Sequence, residues 1–122
     1  MINNMIIAYM DDLQMSAQLA RISTANSYEL IFCDNIEEIA KQKDAIVLVI
    51  DLNLVSYKHL QRIACIFQDR NINLIGYCRK LDSILVNYFI KLGCDMVIKR
   101  NDLIRNLGSI LAKIINACRV SV

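Results

Sequence analysis

An α/β fold, with a parallel sheet of about five strands wrapped by helices, is the architecture this sequence predicts. Three observations carry that expectation. Short apolar runs alternate five times with stretches of helical spacing. The composition is 56% hydrophobic against 21% charged, enough to bury strands on both faces. The length, 122 residues, falls within the size range of one domain, so a single domain over 1–122 is expected.

The strand candidates are Met5–Met10, Tyr28–Cys33, Ala45–Ile50, Leu74–Cys78 and Met96–Ile98, each too short for a helix and rich in Ile, Val or Tyr. A first helix is predicted over Met15–Thr24, with Leu19 and Ile22 inward, and a second near Ile36–Gln42. Tyr57, Leu60, Ile63, Ala64 and Phe67 share one helical stripe, as do Leu103, Leu107, Ile110, Leu111, Ile114 and Cys118. Between them, Leu81–Leu92 is apolar on two faces. Ile84, Leu85, Tyr88, Phe89 and Leu92 form a core-facing stripe, and Val86 and Ile90 a second that is expected to stay exposed. Such a helix is either deeply buried or docks a partner.

Because each helix can serve as the right-handed crossover to the next strand, parallel pairing is expected throughout. The chain has no proline, and its only glycines are Gly76, Gly93 and Gly108, so no linker is visible.

Composition narrows the function. A net charge of +2 comes from 14 basic residues scattered among 12 acidic ones, which gives nucleic-acid binding no support. Cys33, Cys65, Cys78, Cys94 and Cys118 are odd in number and form no C-x-x-C pair, so neither a disulfide framework nor a zinc site is signalled. They read as free thiols of a reducing compartment. The first ten residues lack a basic region and meet Asp11-Asp12 too soon for a signal peptide, and no apolar run approaches the ~18 residues of a membrane span. A cytoplasmic location without membrane contact follows as the expectation.

Three carboxylates stand where a doubly wound sheet keeps its site. Asp11 and Asp12 follow the first strand and Asp51 follows the third. In the strand order 2-1-3-4-5, these strands are neighbours and the acids converge on one rim. Converging carboxylates raise each other's pKa unless a cation lies among them, and Mg²⁺ is the natural candidate. Alternatively, Asp11 and Asp12 only start a helix, capping its first turn.

These residues resemble the receiver domains of bacterial response regulators, a flavodoxin-like, CheY-like fold with five helices around the sheet. Met5–Asp12 is similar to the family's first strand ending in an acidic pair, and Val49-Ile50-Asp51-Leu52-Asn53-Leu54 to the third strand ending in the phospho-accepting aspartate. Leu74-Ile75-Gly76-Tyr77-Cys78-Arg79 matches the fourth-strand segment, and Gly93-Cys94-Asp95-Met96-Val97-Ile98-Lys99-Arg100 the fifth. The resemblance implies a two-component signalling module rather than an enzyme. Asp51 would accept a phosphoryl group from a histidine kinase or another signalling protein, Asp11, Asp12 and Asp51 would hold Mg²⁺, and Asn53 would lend its backbone carbonyl. No organic cofactor is implied.

The departures point to a degenerate member, a pseudo-receiver. Cys78 stands where the family has Thr or Ser, and a thiol is a weak donor. An ungapped count puts the family's lysine on Arg100, whereas chemistry favours Lys99; strand alternation lets only one enter the site. The aromatic switch position becomes Val97 or Met96, and Val55 replaces a usual proline. Docking or homodimerisation through the fourth helix, with Val86 and Ile90, and the fifth strand and helix is then the expected output.

Competing readings are a small flavodoxin-like ligand binder or enzyme using the same rim, and an interaction domain with no ligand. Against the ligand binder, Asp11-Asp12-Leu13-Gln14-Met15 contains no glycine to cradle a phosphate. Tyr9-Met10-Asp11-Asp12 spells a polymerase tetrapeptide, but in a chain too short for one. Asp51-Leu52-Asn53-Leu54-Val55 lacks the second aspartate of a dehalogenase-type phosphatase, and His59 has no nucleophile beside it in sequence.

Overall fold

The computed structural model describes residues 4–120, with side chains described as far as Ala117, so that Cys118 lies outside the described side chains. Strand and helix alternate strictly: β1 (Met5–Tyr9), α1 (Leu13–Ala25), β2 (Glu29–Phe32), α2 (Ile36–Lys41), β3 (Ala45–Asp51), α3 (Tyr57–Gln68), β4 (Asn73–Cys78), α4 (Ser83–Leu92), β5 (Met96–Lys99) and α5 (Arg100–Val120). The five strands form one parallel sheet in the order β2-β1-β3-β4-β5. The fold class is the predicted one, and every strand lies within two residues of its expected limits.

The alternation of side chains along each strand divides the interior in two. Met5 and Ile7, Leu48 and Ile50, and Leu74 and Cys78 face α2 and α3, where Ile39, Leu60, Ile63 and Phe67 complete one cluster. Ile6 and Ala8, Val47 and Val49, and Ile75 and Tyr77 face α1 and α5, where Met15, Leu19, Leu103, Leu107, Leu111 and Ile115 complete the other. In α5 the buried stripe runs through Ile115, while Ile110 and Ile114 only flank it. Tyr57 leaves its predicted stripe because it opens α3, ahead of the turn that meets the sheet, and is 54% exposed.

Helix α4 departs furthest from expectation. None of its residues is buried. Of the predicted core-facing stripe, only Phe89 and Leu92 pack against the core, together with Leu81 before the helix. Ile84 is 77% exposed, and Leu85 and Tyr88 are exposed as well. Ile90 is exposed as expected, but Val86 is half-buried, because the helix turns its Leu81–Phe89–Leu92 edge inward.

Two close approaches carry the chain around the sheet's ends. A Cβ on Gly93 would lie 2.3 Å from Ala64 Cβ, and Gly93 has φ +122°. Only glycine meets both demands, so the end of α4 presses directly onto α3. At Gly76 a Cβ would lie 2.8 Å from Leu52, whose buried side chain covers that strand position, and Leu52 N–H donates to the Tyr77 carbonyl at 2.9 Å. The segment after Asp51 is thereby pinned onto β4.

Candidate functional site

The C-terminal ends of β1, β3, β4 and β5 form one rim, as their parallel register requires. Asp12 lies just beyond β1 and is the N-cap of α1, its Oδ1 accepting from Met15 N–H at 3.1 Å. Helix capping is therefore one of its roles. The same carboxylate also receives a two-pronged guanidinium. Arg100 Nε donates to Oδ2 at 2.6 Å and Nη2 to Oδ1 at 2.9 Å. Tyr77 Oη donates to Oδ2 at 3.4 Å, and Arg100 Nη2 also reaches Gln14 Oε1 at 3.0 Å. The hydrogen bonds from Arg100 hold the Asp12 carboxyl down to about 2, against the opposing effect of burial.

Asp51 ends β3 and is 8% exposed. Its Oδ1 accepts from Asn53 N–H at 3.0 Å, and its carbonyl accepts from Leu54 N–H at 3.0 Å, a tight turn that holds the carboxylate in place. Asn53 thus presents its N–H to Asp51. Burial pushes the Asp51 carboxyl above the usual range, the Asn53 N–H opposes this, and the charges of Asp11 and Asp12 add to the rise. Arg79, just past β4, is near enough to offset part of it. The predicted convergence of Asp11, Asp12 and Asp51 is thus partial. The three interact electrostatically, but Asp12 is already neutralised and Asp11 stays exposed.

Asp12, clamped by Arg100, is not free to hold Mg²⁺ in this arrangement. Both oxygens of Asp12 are occupied by Arg100, and among the described residues no group of three His, Cys, Asp or Glu side chains is placed to hold one metal ion. A guanidinium stands on Asp12 as its cation.

Register settles the geometry of the fifth strand. Lys99 pairs with Cys78 at the end of β5 and is exposed, whereas Arg100, the first residue of α5, turns across the rim to Asp12. Cys78 lies at the end of β4 but under cover. It is 6% exposed, and its thiol donates to the Lys80 carbonyl at 3.2 Å. Burial and then the charge of Asp51 push this thiol up. Burial also lifts Cys33 to about 11 and Cys94 to about 12, which makes both unreactive as thiolates near neutral pH. Met96 and Val97 are both half-buried and supply no aromatic ring to the rim. His59 sits exposed in the first turn of α3, its N–H donating to the Ser56 cap.

Two members of the rim were missed in the sequence. Tyr77 is fully buried and its hydroxyl completes the Asp12 cluster, while burial, then Asp51 and Asp12, drive its pKa strongly upward. The alternation of β4 carried the signal: Tyr77 has the parity of Ile75 and so faces α1 and α5, where Asp12 begins. Arg79 is the other, a cation placed next to Asp51 by the end of a strand.

No family model matches the sequence, and no curated protein does. Solved structures match along nearly the whole chain. The signal receiver domain of a candidate Luxo repressor protein from Vibrio parahaemolyticus superposes with a TM-score of 0.78 at 11% identity, over 98% of this chain and 95% of that one. A response regulator from Thermotoga maritima gives a TM-score of 0.75 at 13% identity, over 93% and 98%. A candidate pilus assembly protein (cpaE) from Burkholderia thailandensis gives 0.72 at 19% identity, over 95% and 99%. At such identities the likeness is one of fold, and the sheet order and the helices agree with it. The chain has the fold of response-regulator receiver domains, with Arg100 clamped onto Asp12, the second of the two acids after β1.

Proposed function

We propose that this chain is a receiver-type signalling module whose output is docking to a protein partner, with its phosphoryl-transfer pocket held shut by Arg100. The two-pronged Arg100–Asp12 pair supports this reading above all. Phosphoryl transfer needs a cation free to bridge the acceptor and the transferring oxygens. Here the cation nearest the acids is spent on Asp12, and the Asp51 carboxylate is buried and raised in pKa. Cys78, whose thiol is engaged with Lys80, is a poor stand-in for a hydroxyl that follows a phosphoryl group.

The docking half of the proposal rests on α4. Ile84, Leu85, Tyr88 and Ile90 are large, apolar and exposed on one ten-residue helix. Burying them would contribute roughly 25 cal/mol for each Å² removed from water. The partner is a second copy of the chain, a histidine kinase or another signalling protein. That a protein of the same fold is described as a candidate pilus assembly protein fits a module used in assembly.

Incubation with an acyl phosphate and Mg²⁺, followed by mass spectrometry, tests the proposal. The expected result is an unmodified chain whose melting temperature is the same with and without millimolar Mg²⁺. Stoichiometric phosphorylation of Asp51 would overturn it.

A further inference from the structure

We propose that the cleft at the start of α5 binds a small phosphate-bearing anion, either inorganic phosphate or a phosphomonoester, through Arg79, Lys99 and Arg105. The cleft has a volume of about 370 Å³ and is lined by Arg79, Lys99, Arg100, Asn101, Asp102 and Arg105. Four of these six residues are cations and one is a carboxylate. The chain as a whole carries only +2, so this cleft concentrates a charge that the scattered sequence conceals.

The register creates the cluster. Strands β4 and β5 end side by side with Cys78 opposite Lys99, so the residues that follow, Arg79 and Arg100, emerge next to each other. Arg105 joins them from the next turns of α5. Two of the four cations have partners: Arg100 is clamped on Asp12, and Arg105 pairs with Asp102 on its own helix. Among the described residues, Arg79 and Lys99 make no ion pair. Cations crowded together in this way repel one another, and an anion seated between them reverses the sign of that interaction.

The chemistry of the lining selects the ligand. Guanidinium forks match the spacing of tetrahedral oxyanions, and the lysine adds a mobile point charge. The first turn of α5, through Asn101 and Asp102, lies at the same cleft and adds the positive end of a 21-residue helix. The volume lies at the small end of ligand pockets. No aromatic or aliphatic residue lines it, so a nucleobase would find nothing to stack on and an acyl chain nowhere to be buried. Asp51 is not part of the lining, and the proposal is independent of whether Asp51 is ever phosphorylated.

The test is a titration of the chain with inorganic phosphate at constant ionic strength, without Mg²⁺ and with chloride as the compensating salt, because inorganic phosphate cannot phosphorylate Asp51. Glycerol phosphate is the second arm. Calorimetry should show saturable binding, and the amide resonances of Arg79, Asn101 and Asp102 should shift while those of Leu19 do not. Tighter binding of glycerol phosphate identifies a phosphomonoester as the ligand, and equal binding identifies phosphate itself. The double variant Arg79→Ala with Lys99→Ala removes only exposed side chains, so its circular dichroism should be unchanged while its affinity falls by about tenfold or more. Arg79→Glu, which reverses one charge, should abolish binding. A linear response to phosphate in the wild type, or equal affinity in the double variant, would overturn the proposal.

Discussion

The rim and α4 solve opposite problems. At the rim, the side chains of Asp12 and Asp51 are withdrawn from water and each is held by named donors: Arg100, Tyr77 and Met15 for the first, and Asn53 for the second. On α4 most side chains are apolar, yet none is buried. The helix is fixed by its ends instead. Asp82 caps its start by accepting from Leu85 N–H at 2.9 Å, and Gly93 at its end lies against Ala64. Polar groups inside and apolar groups outside are each costly alone. Their coexistence in one small domain sets a rim of paired, buried acids beside a helix that leaves Ile84, Leu85, Tyr88 and Ile90 in water.

The largest effect is expected where α4 is anchored. Gly93→Ala forces a Cβ into Ala64 and places it at φ +122°, and the overpacking and backbone strain together should cost about 3 kcal/mol in urea denaturation. Adding Ala64→Gly should recover the overpacking part only. If Gly93→Ala were neutral, α4 would be loosely held, and the contrast with the rim would be one of mobility rather than of design.

At the rim, Arg100→Ala leaves Asp12 without its guanidinium, and a loss of about 2 kcal/mol is expected. The pH dependence shows which group is responsible. Because the Asp12 carboxyl is lowered, its contribution is present above the unfolded value of about 3.9 and fades as the pH falls toward about 2. That acid limb should flatten in the variant. A gain in melting temperature with Mg²⁺ in the variant alone would show that Asp12, once freed, can share an ion with Asp11 or Asp51, since one or two carboxylates suffice for Mg²⁺. Absence of that gain would show that the acids are too far apart for a shared ion and that Arg100 is not acting in its place.

Asp51 has the opposite sign. Its raised carboxyl means that the neutral form suits the fold, so this contribution is complete below the unfolded pKa and is lost as the pH climbs through the folded one. Asp51→Asn keeps the acceptor for Asn53 N–H and removes the buried charge. Its melting temperature should exceed the wild type's by a few degrees at pH 7, with the gap closing below about pH 4. A destabilised Asp51→Asn would mean that Arg79 outweighs burial.

These contrasts explain what the sequence could reveal. Strand alternation and helical stripes announced the sheet and most of the core, because Leu48, Ile63 or Leu107 can satisfy their burial in only one way, while the strand order came with the resemblance to receiver domains. The acids were legible as a set, since Asp11, Asp12 and Asp51 follow strands that the fold makes neighbours. Their state was not. That Arg100 would cross to Asp12, 88 residues away in sequence, depends on where α5 begins, and helix limits are the least certain feature of a periodic pattern. Similarly, the apolar pattern of α4 fits two orientations, and only the inward seat of Phe89 and Leu92 selects the one that leaves Ile84 in water.

The smallest stability effect should accompany the clearest change in association. Ile84 and Tyr88 are one turn apart on α4, 77% and 43% exposed, so they form a continuous apolar strip along one edge of the helix. They are better probes of docking than Val86 and Ile90, because Val86 is half-buried and its replacement by a charge would disturb packing as well. Ile84→Lys with Tyr88→Glu removes no fully buried side chain, only the edge-on packing of Tyr88 on Phe89, and should leave the unfolding free energy within about 1 kcal/mol of the wild type. In sedimentation velocity, the wild type should associate in a concentration-dependent way that the double variant abolishes. Retention of the complex in the variant would move the interface elsewhere, and a wild type that stays monomeric at high concentration would reserve this helix for a partner other than a second copy of the chain. Either result would be informative about the rim as well, since Arg100→Ala should leave the association unchanged if the clamp and the docking helix are independent.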